Sequence, residues 1–247
     1  MWPDEILDSH PLLLGVQMKR NVSLPQCHSC PSRLCSLFKY LDKSLLELLS
    51  QNKCGQLYKK GELLFQEGAY SQGIFCIYEG IVKIFKLDSQ GNEQILRFAH
   101  KTDLIGYKAL LTGGRYVNFA SAIEDSRVCF IPQETLWQLL KSDNGFATAF
   151  LKLLAQESSS SEKQITNMAR RTARERLAAT LLTLRQAYEV GRILIKRSDL
   201  AKVIGTDYST TMRILKEFKT QRIIETNPQH ISILAPQKLA EIAKFVE

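Results

Sequence analysis

Between residues 56 and 132 short runs rich in Ile, Val, Phe and Tyr alternate with glycine-centred turns, and from Thr135 the apolar residues fall at helical spacing instead. A strand turns alternate residues to one face, whereas a helix turns every third or fourth, so no single architecture serves both stretches. Turns are read at Lys60-Gly61-Glu62, Glu67-Gly68, Glu79-Gly80, Ser89-Gln90-Gly91-Asn92 and Gly113-Gly114. That punctuation predicts an antiparallel β-sandwich or roll, with Ile81 to Phe85 running into a hairpin turn at Ser89 to Asn92. Upstream, Leu37, Leu41, Leu45, Leu48 and Leu49 predict one helix over Leu37 to Leu49. Residues 1–26 show no period and are expected to form a loosely ordered leader.

The C-terminal part reads as helices. A long one is expected over Asn144 to Ala169, with Phe146, Phe150, Ile165 and Met168 on its apolar side. Gln156 to Ser161 interrupts that stripe and reads either as a linker or as a weak seam facing a second copy of the chain. The absence of Gly and Pro favours the seam, in which Ser158 and Ser161 withhold apolar contact. A further helix is expected over Thr172 to Tyr188. Ser198 is the expected N-cap of a short helix over Asp199 to Ile204. After a turn at Gly205-Thr206-Asp207, Tyr208 to Thr220 form the next helix. Ile223-Ile224-Glu225 and Ile231 to Leu234 then read as a hairpin around Asn227-Pro228-Gln229, and Pro236 opens a closing helix.

Helix, glycine-bearing turn, helix and hairpin make a winged helix-turn-helix, whose second helix enters the major groove of DNA. Ala201, Val203, Ile204, Ile214, Leu215 and Phe218 would pack the two helices together. Tyr208, Ser209, Thr210, Met212, Arg213 and Lys216 are left to face outward or towards DNA. The planar fork of Arg213 suits guanine O6 and N7, and Ser209 and Thr210 hydroxyls suit bases or phosphates. Lys216 and Arg197 suit phosphates.

Charge agrees with this placement. The 247 residues carry 33 Lys and Arg against 25 Asp and Glu, a formal net charge of +8. Fourteen of the basic residues lie between Lys163 and Arg222. No apolar run of about 18 residues is present, the length a membrane helix needs. Met1-Trp2-Pro3-Asp4-Glu5 lacks the basic start of a secretory signal, so a cytoplasmic protein is expected, without membrane partners. No P-loop, nucleophile–base motif or paired-carboxylate frame is found, and no enzyme is expected.

Three of six cysteines are clustered, as Cys27-x2-Cys30-x4-Cys35. Three soft thiolates so close can wrap one metal centre, with a fourth ligand supplied by the fold. Zinc, with His28 as a substitute ligand, and a metal-free redox thiol set are the other readings. Cys54 and Cys76 stand alone, Cys76 within the apolar run Ile74 to Tyr78, and are expected to be structural.

Gly61-Glu62-Leu63-Leu64-Phe65, Glu67-Gly68, Gly80-Ile81-Val82-Lys83, Asp103-Leu104-Ile105-Gly106, Glu175-Arg176-Leu177-Ala178 and Gly205 to Leu215 together resemble the CRP/FNR family, in order and over nearly the entire chain. The resemblance implies an α+β fold: an N-terminal antiparallel β-roll of the cyclic-nucleotide-binding type, a long dimerisation helix and a C-terminal winged helix-turn-helix. It implies a homodimer on a palindromic operator, acting through RNA polymerase. Expected segments are 1–36 (leader with the cysteine cluster), 37–143 (β-roll sensor), 144–170 (dimerisation helix) and 171–247 (DNA-binding domain). Tyr208, Ser209 and Arg213 fall at the family's base-contacting positions, with Ser209 where many members have Glu. The cAMP-binding branch carries Gly-Glu and, about ten residues on, Arg-Ser; here Gly106 is followed by Tyr107 and Lys108, and Tyr116-Val117 stand at the second place, so cAMP is not expected. The cysteine-bearing branch implies a [4Fe–4S] cluster held by Cys27, Cys30, Cys35 and Cys129, and control by oxygen or redox state. The alternative is a regulator sensing a small non-cAMP ligand in the β-roll, with structural or zinc-bound cysteines.

Overall fold

A computed structural model describes residues 20–188 and 191–244. The chain divides into two compact units, Met1–Lys86 with Phe98–Ala149, and Leu87–Arg97 with Phe150–Glu247.

In chain order, three 3-10 turns (Cys27–Ser29, Arg33–Cys35 and Leu37–Tyr40) lead into helix α1 (Lys43–Asn52). Strands β1 (Cys54–Tyr58), β2 (Leu63–Phe65), β3 (Gly73–Glu79), β4 (Val82–Leu87), β5 (Glu93–Ala99) and β6 (Leu104–Ile105) follow. Then come α2 (Tyr107–Leu111), β7 (Phe119–Ala122), β8 (Ser126–Pro132), α3 (Gln133–Ser142) and α4 (Asn144–Arg170). The strands form two four-stranded sheets, ordered β1-β8-β3-β6 and β2-β7-β4-β5. Tyr58, Leu64, Phe65, Phe75, Ile77, Val82, Ile84, Val128 and Phe130 fill the core of this antiparallel roll. Gly80 is required at its turn, because φ is +94° and a Cβ would run into Ser126.

Two expectations for the N-terminal part need correction. Residues 1–19 of the leader lie outside the described residues, but from Arg20 the chain is ordered along β1. Val22 N–H donates to the Gly55 carbonyl at 3.0 Å, and Leu57 N–H to that of Arg20 at 3.1 Å. Leu37 to Leu49 is not one helix. The Asp42 carboxylate accepts from the Leu45 N–H at 2.8 Å, and this cap starts α1 afresh after a separate 3-10 turn.

Helix α4 is continuous through its serines. The Ser160 and Ser161 hydroxyls donate to the carbonyls of Gln156 and Glu157 at 2.8 and 2.9 Å, so these two are satisfied within the helix. The expected seam changes. Phe146 is fully buried and stacks on Phe38, with ring centroids 6.0 Å apart, and Phe150 is buried as well. Both apolar rings are taken by the chain itself. The exposed stripe is instead Leu151, Ser158 and Ile165, seven residues apart and therefore on one face, with Leu151 66% and Ile165 71% exposed. Ser161 is exposed beside it, and Met168 is half-buried.

The second unit holds α5 (Ala173–Ala187), β9 (Arg192–Ile193), α6 (Arg197–Ile204), α7 (Tyr208–Thr220), β10 (Ile224–Thr226), β11 (Ile231–Ile233) and α8 (Pro236–Ala243). Leu177, Leu181, Leu200, Ile204, Ile214, Phe218, Ile231 and Leu239 are buried. The hairpin β10-β11 gains a third strand, β9, that the sequence did not suggest. Ser198 is not a cap: α6 starts at Arg197, with Lys196 at the N-cap position and no side-chain cap bond. Val203 is only half-buried. Thr172 and Glu175 cap α5 reciprocally.

Candidate DNA-reading helix and cysteine pocket

Helix α7 has the expected bounds, and its burial alternates as a reading helix requires. Thr211, Ile214, Leu215 and Phe218 are buried, while Tyr208, Ser209, Met212, Arg213 and Lys216 are exposed and Thr210 is half-buried. Among the described residues no hydrogen bond or ion pair engages the guanidinium of Arg213 or the ammonium of Lys216, so both heads are available to a polyanion.

The first turn is more committed. Asp207 sits at the N-cap, and its carboxylate accepts from the Ser209 hydroxyl at 2.5 Å, the Thr210 N–H at 2.8 Å and the Thr210 hydroxyl at 2.7 Å. Those bonds, that of Ser209 foremost, hold the Asp207 carboxyl well below the usual carboxylate range. The two hydroxyls expected to meet DNA thus donate to their own cap, which leaves only their lone pairs to meet a base, as acceptors.

Arg197 is the clearest reassignment. Its Nη2 donates to Thr226 Oγ1 at 2.7 Å and to the carbonyls of Asn227 at 2.8 Å and His230 at 3.2 Å. The guanidinium braces the wing rather than standing free for phosphate. Arg176, quoted above only as part of a motif, proves to be a clamp. It donates to the carbonyls of Ile204 at 2.6 Å and Arg171 at 2.5 Å, with longer bonds to those of Met168 and Gly205. Those carbonyls end α4 and α6, where helix geometry leaves acceptors unpaired. Gly205 closes α6 with φ +63°, and a Cβ there would lie 2.7 Å from Met168 Cε.

A second site lies in the first unit. Cys27, Cys30, Cys76 and Cys129 line one pocket with Ser32, Phe38, Leu49, Lys53 and Ile131. The Cys35 side chain lies outside the described residues, although its backbone closes the second 3-10 turn. Cys27 is held by its N–H, which donates to Ser50 Oγ at 2.7 Å. Lys53 Nζ lies 3.9 Å from Cys129 Sγ and donates to the Pro25 carbonyl at 2.5 Å. Burial pushes the Cys129 thiol up to about 11, against the pull of Lys53, and pushes the Cys76 thiol up as well. A metal binding here therefore displaces protons. Cys76 is buried, as a structural cysteine would be, but unlike its strand neighbours Phe75 and Ile77 it lies outside the cluster that fills the roll interior. Cys54 stays outside the pocket, its Sγ 3.4 Å from Asn21 Oδ1.

Among the described residues no three His, Cys, Asp or Glu side chains stand close enough together to hold a metal ion. The free space is about 30 Å³, room for a water-sized group. The donor chemistry nevertheless suits an iron–sulfur group: soft sulfur ligands on an apolar lining, plus a buried Ser32 hydroxyl that has no hydrogen-bond partner among the described residues.

The roll interior is filled. Tyr116 is buried and stacks on Phe65 at 4.1 Å between centroids. Arg115 lies over the Tyr70 ring and donates to the Gly68 carbonyl at 2.7 Å.

Comparison with known proteins agrees with both halves of this description. Residues 56–143 match the model of the cyclic nucleotide-binding domain, and residues 175–242 that of the Crp-like helix-turn-helix domain. The fumarate and nitrate reduction regulatory protein of Vibrio cholerae is 29% identical over 225 residues, 88% of this chain and 90% of that protein. Its namesake from Escherichia coli is 28% identical with the same coverage. The chain belongs to the CRP/FNR family. It is an FNR-type transcription regulator with a helix-turn-helix DNA-binding domain, and its relatives are regulators rather than enzymes. The structure of FixK2 from Bradyrhizobium japonicum shares the fold, with a TM-score of 0.72 at 24% identity over 79% of this chain and 99% of that one. Among the described residues no helix is long and apolar enough to cross a membrane.

Proposed function

We propose that this regulator is a cytoplasmic homodimer that reads a palindromic operator through α7, acts through RNA polymerase, and responds to oxygen or redox state through an iron–sulfur cluster on Cys27, Cys30, Cys35 and Cys129. One observation carries the reading: Cys129 on β8 faces the same pocket as Cys27 and Cys30 on the leader turn. When bound, the cluster supplies an oxygen-labile iron centre. The chain supplies the rest. Lys53 sets a positive charge beside Cys129, and the apolar lining restricts water. Phe38 lines the pocket and stacks on Phe146 in the first turn of α4, so a change in the pocket has a packed route into the helix. Further along, Leu151 and Ile165 offer an apolar stripe to a second copy, weakened by Ser158 between them. A weak seam is one that a modest effector bias can switch.

Anaerobic purification followed by visible spectroscopy and analytical ultracentrifugation tests this. A broad thiolate-to-iron band that bleaches in air, with loss of dimer, is the expected result. A colourless anaerobic protein with stoichiometric zinc would overturn it.

A further inference from the structure

Residues Leu87–Arg97, which carry the turn between β4 and β5, belong to the same compact unit as the helix-turn-helix. Gln94 Nε2 donates to the carbonyl of Lys202 at 2.7 Å, and Lys202 Nζ donates to Glu93 Oε2 at 2.6 Å. Two neighbouring residues of β5 thus hold one residue of α6 by its backbone and by its charged head. The Lys202 carbonyl lies in the last turn of α6, where a helix leaves its acceptors unpaired, so the Gln94 bond secures the helix end. The Glu93 bond engages a cation instead. Lys202 and Ser198, one turn apart on α6, line a groove with Asn92, Glu93 and Gln94 and with Tyr208 in the first turn of α7. A reading helix enters the major groove by its N-terminal residues, while the helix before it crosses the DNA backbone. A lysine on α6 that shares a groove with Tyr208 therefore stands where a phosphate strand passes.

We propose that Lys202 is a phosphate-contacting residue of the DNA-binding face, and that Glu93 masks its ammonium until a phosphate takes the carboxylate's place. The inference rests on reading α7 as the helix that meets DNA, and it is independent of the cysteine pocket. A lysine paired with a glutamate at a surface ordinarily contributes little. Here the position beside Tyr208 and the two-point hold by Glu93 and Gln94 argue for more. The two side chains are 36% and 23% exposed, so the pair is partly withdrawn from water. The Gln94 bond holds the Lys202 backbone in place, and the flexible four-carbon stem is left to swing. In the exchange the ammonium leaves one oxyanion for another, and a counterion condensed on the DNA is released. No covalent bond forms or breaks, and no proton is transferred. Glu93 thereby withholds one sequence-independent contact from DNA.

The test uses the full chain as wild type, Glu93→Gln, Lys202→Gln and the double variant, with Glu93→Ala as a second way of releasing Lys202. Binding to a fluorescein-labelled duplex of random sequence is followed by anisotropy over a series of potassium chloride concentrations. Circular dichroism and unfolding temperature verify the fold of each variant. Both Glu93 variants should bind more tightly at low salt, with log affinity against log salt steeper by about 0.9 for each chain bound. Lys202→Gln should change little alone, and in the Glu93→Gln background it should abolish the whole gain. An equal loss from Lys202→Gln in both backgrounds would mean that the charges act only at long range, and it overturns the inference. Glu93 variants that keep wild-type affinity and slope, or that bind more weakly, overturn it too, and leave the reading of α7 standing. A wild-type protein that binds no duplex overturns both.

Discussion

The guanidinium of Arg176 donates through Nε to the carbonyl of Ile204 at 2.6 Å, and through Nη1 to that of Arg171. One planar group thus satisfies carbonyls at the ends of α4 and α6. Lysine offers a point charge without the fork. Hydrogen bonds to charged groups contribute about 1.5–3 kcal/mol, so Arg176→Lys should lower the unfolding free energy in urea by that order, and Arg176→Ala by at least as much. An unchanged midpoint at unchanged slope would show the clamp to be idle.

Gly205 is constrained by its backbone. A side chain in the left-handed region costs about 1–2 kcal/mol, whereas Met168 Cε, the far end of a flexible side chain, can move out of the way of a Cβ. Gly205→Ala should therefore lower the melting temperature, and adding Met168→Ala should not restore it. Recovery in the double variant would show that the contact, not the backbone, sets the cost.

Glu175 is held at about 2, against an ordinary value of 4.5, first by the Lys244 ammonium and then by the Thr172 N–H. A depressed folded-state value means that the stabilisation is complete above about pH 4.5 and fades as pH falls towards 2. Urea midpoints taken between pH 6 and pH 3 should fall more steeply in wild type than in Glu175→Gln. Parallel curves would remove Glu175 from the account.

Ser158 lies between Leu151 and Ile165 on the exposed face of α4. Placing a leucine there restores an apolar contact worth about 1.5–3 kcal/mol when fully buried. Ser158→Leu should tighten the dimer, and Ile165→Asp should loosen it, by sedimentation equilibrium. If neither shifts the dissociation constant, the second copy docks elsewhere.

Arg213 and Lys216 should separate by the kind of loss each causes. Arg213→Ala should relax preference at one base pair of each half-site by about 1–3 kcal/mol. Lys216→Ala should weaken all sequences alike and reduce the salt slope by about 1. Fluorescence anisotropy against selected and scrambled duplexes distinguishes them.

The winged domain was largely legible in the sequence because its signals are local. The apolar period, the turn at Gly205 and Pro236 at the first helical position bound α7 and α8 as expected. Signals spread over space were not. Strand β9 spans two residues, too short for any period, and pairs with β11 from well upstream. The period of α4 showed an apolar face but not which chain covers it, so Phe146 and Phe150 were assigned to a partner although Phe38 and the chain's own core take them. Asp42 divided a leucine pattern that otherwise reads unbroken. The face that Cys76 takes was unreadable for a different reason. Strand parity tells inside from outside only once the register with Cys129 is known. Arg197 has the right charge for phosphate, and only the folded wing shows that its Nη2 is already engaged there.

The Asp207 cap carries a consequence for how the protein finds its operator. A winged helix meets DNA with the first turn of its reading helix, so a fixed carboxylate there repels backbone phosphates on every sequence equally. In a chain of formal charge +8, that carboxylate should trim the indiscriminate attraction; if Arg213 reads a guanine as proposed, the protein should dwell more briefly on random duplex than an Asp207→Asn variant does, with residence at the operator spared.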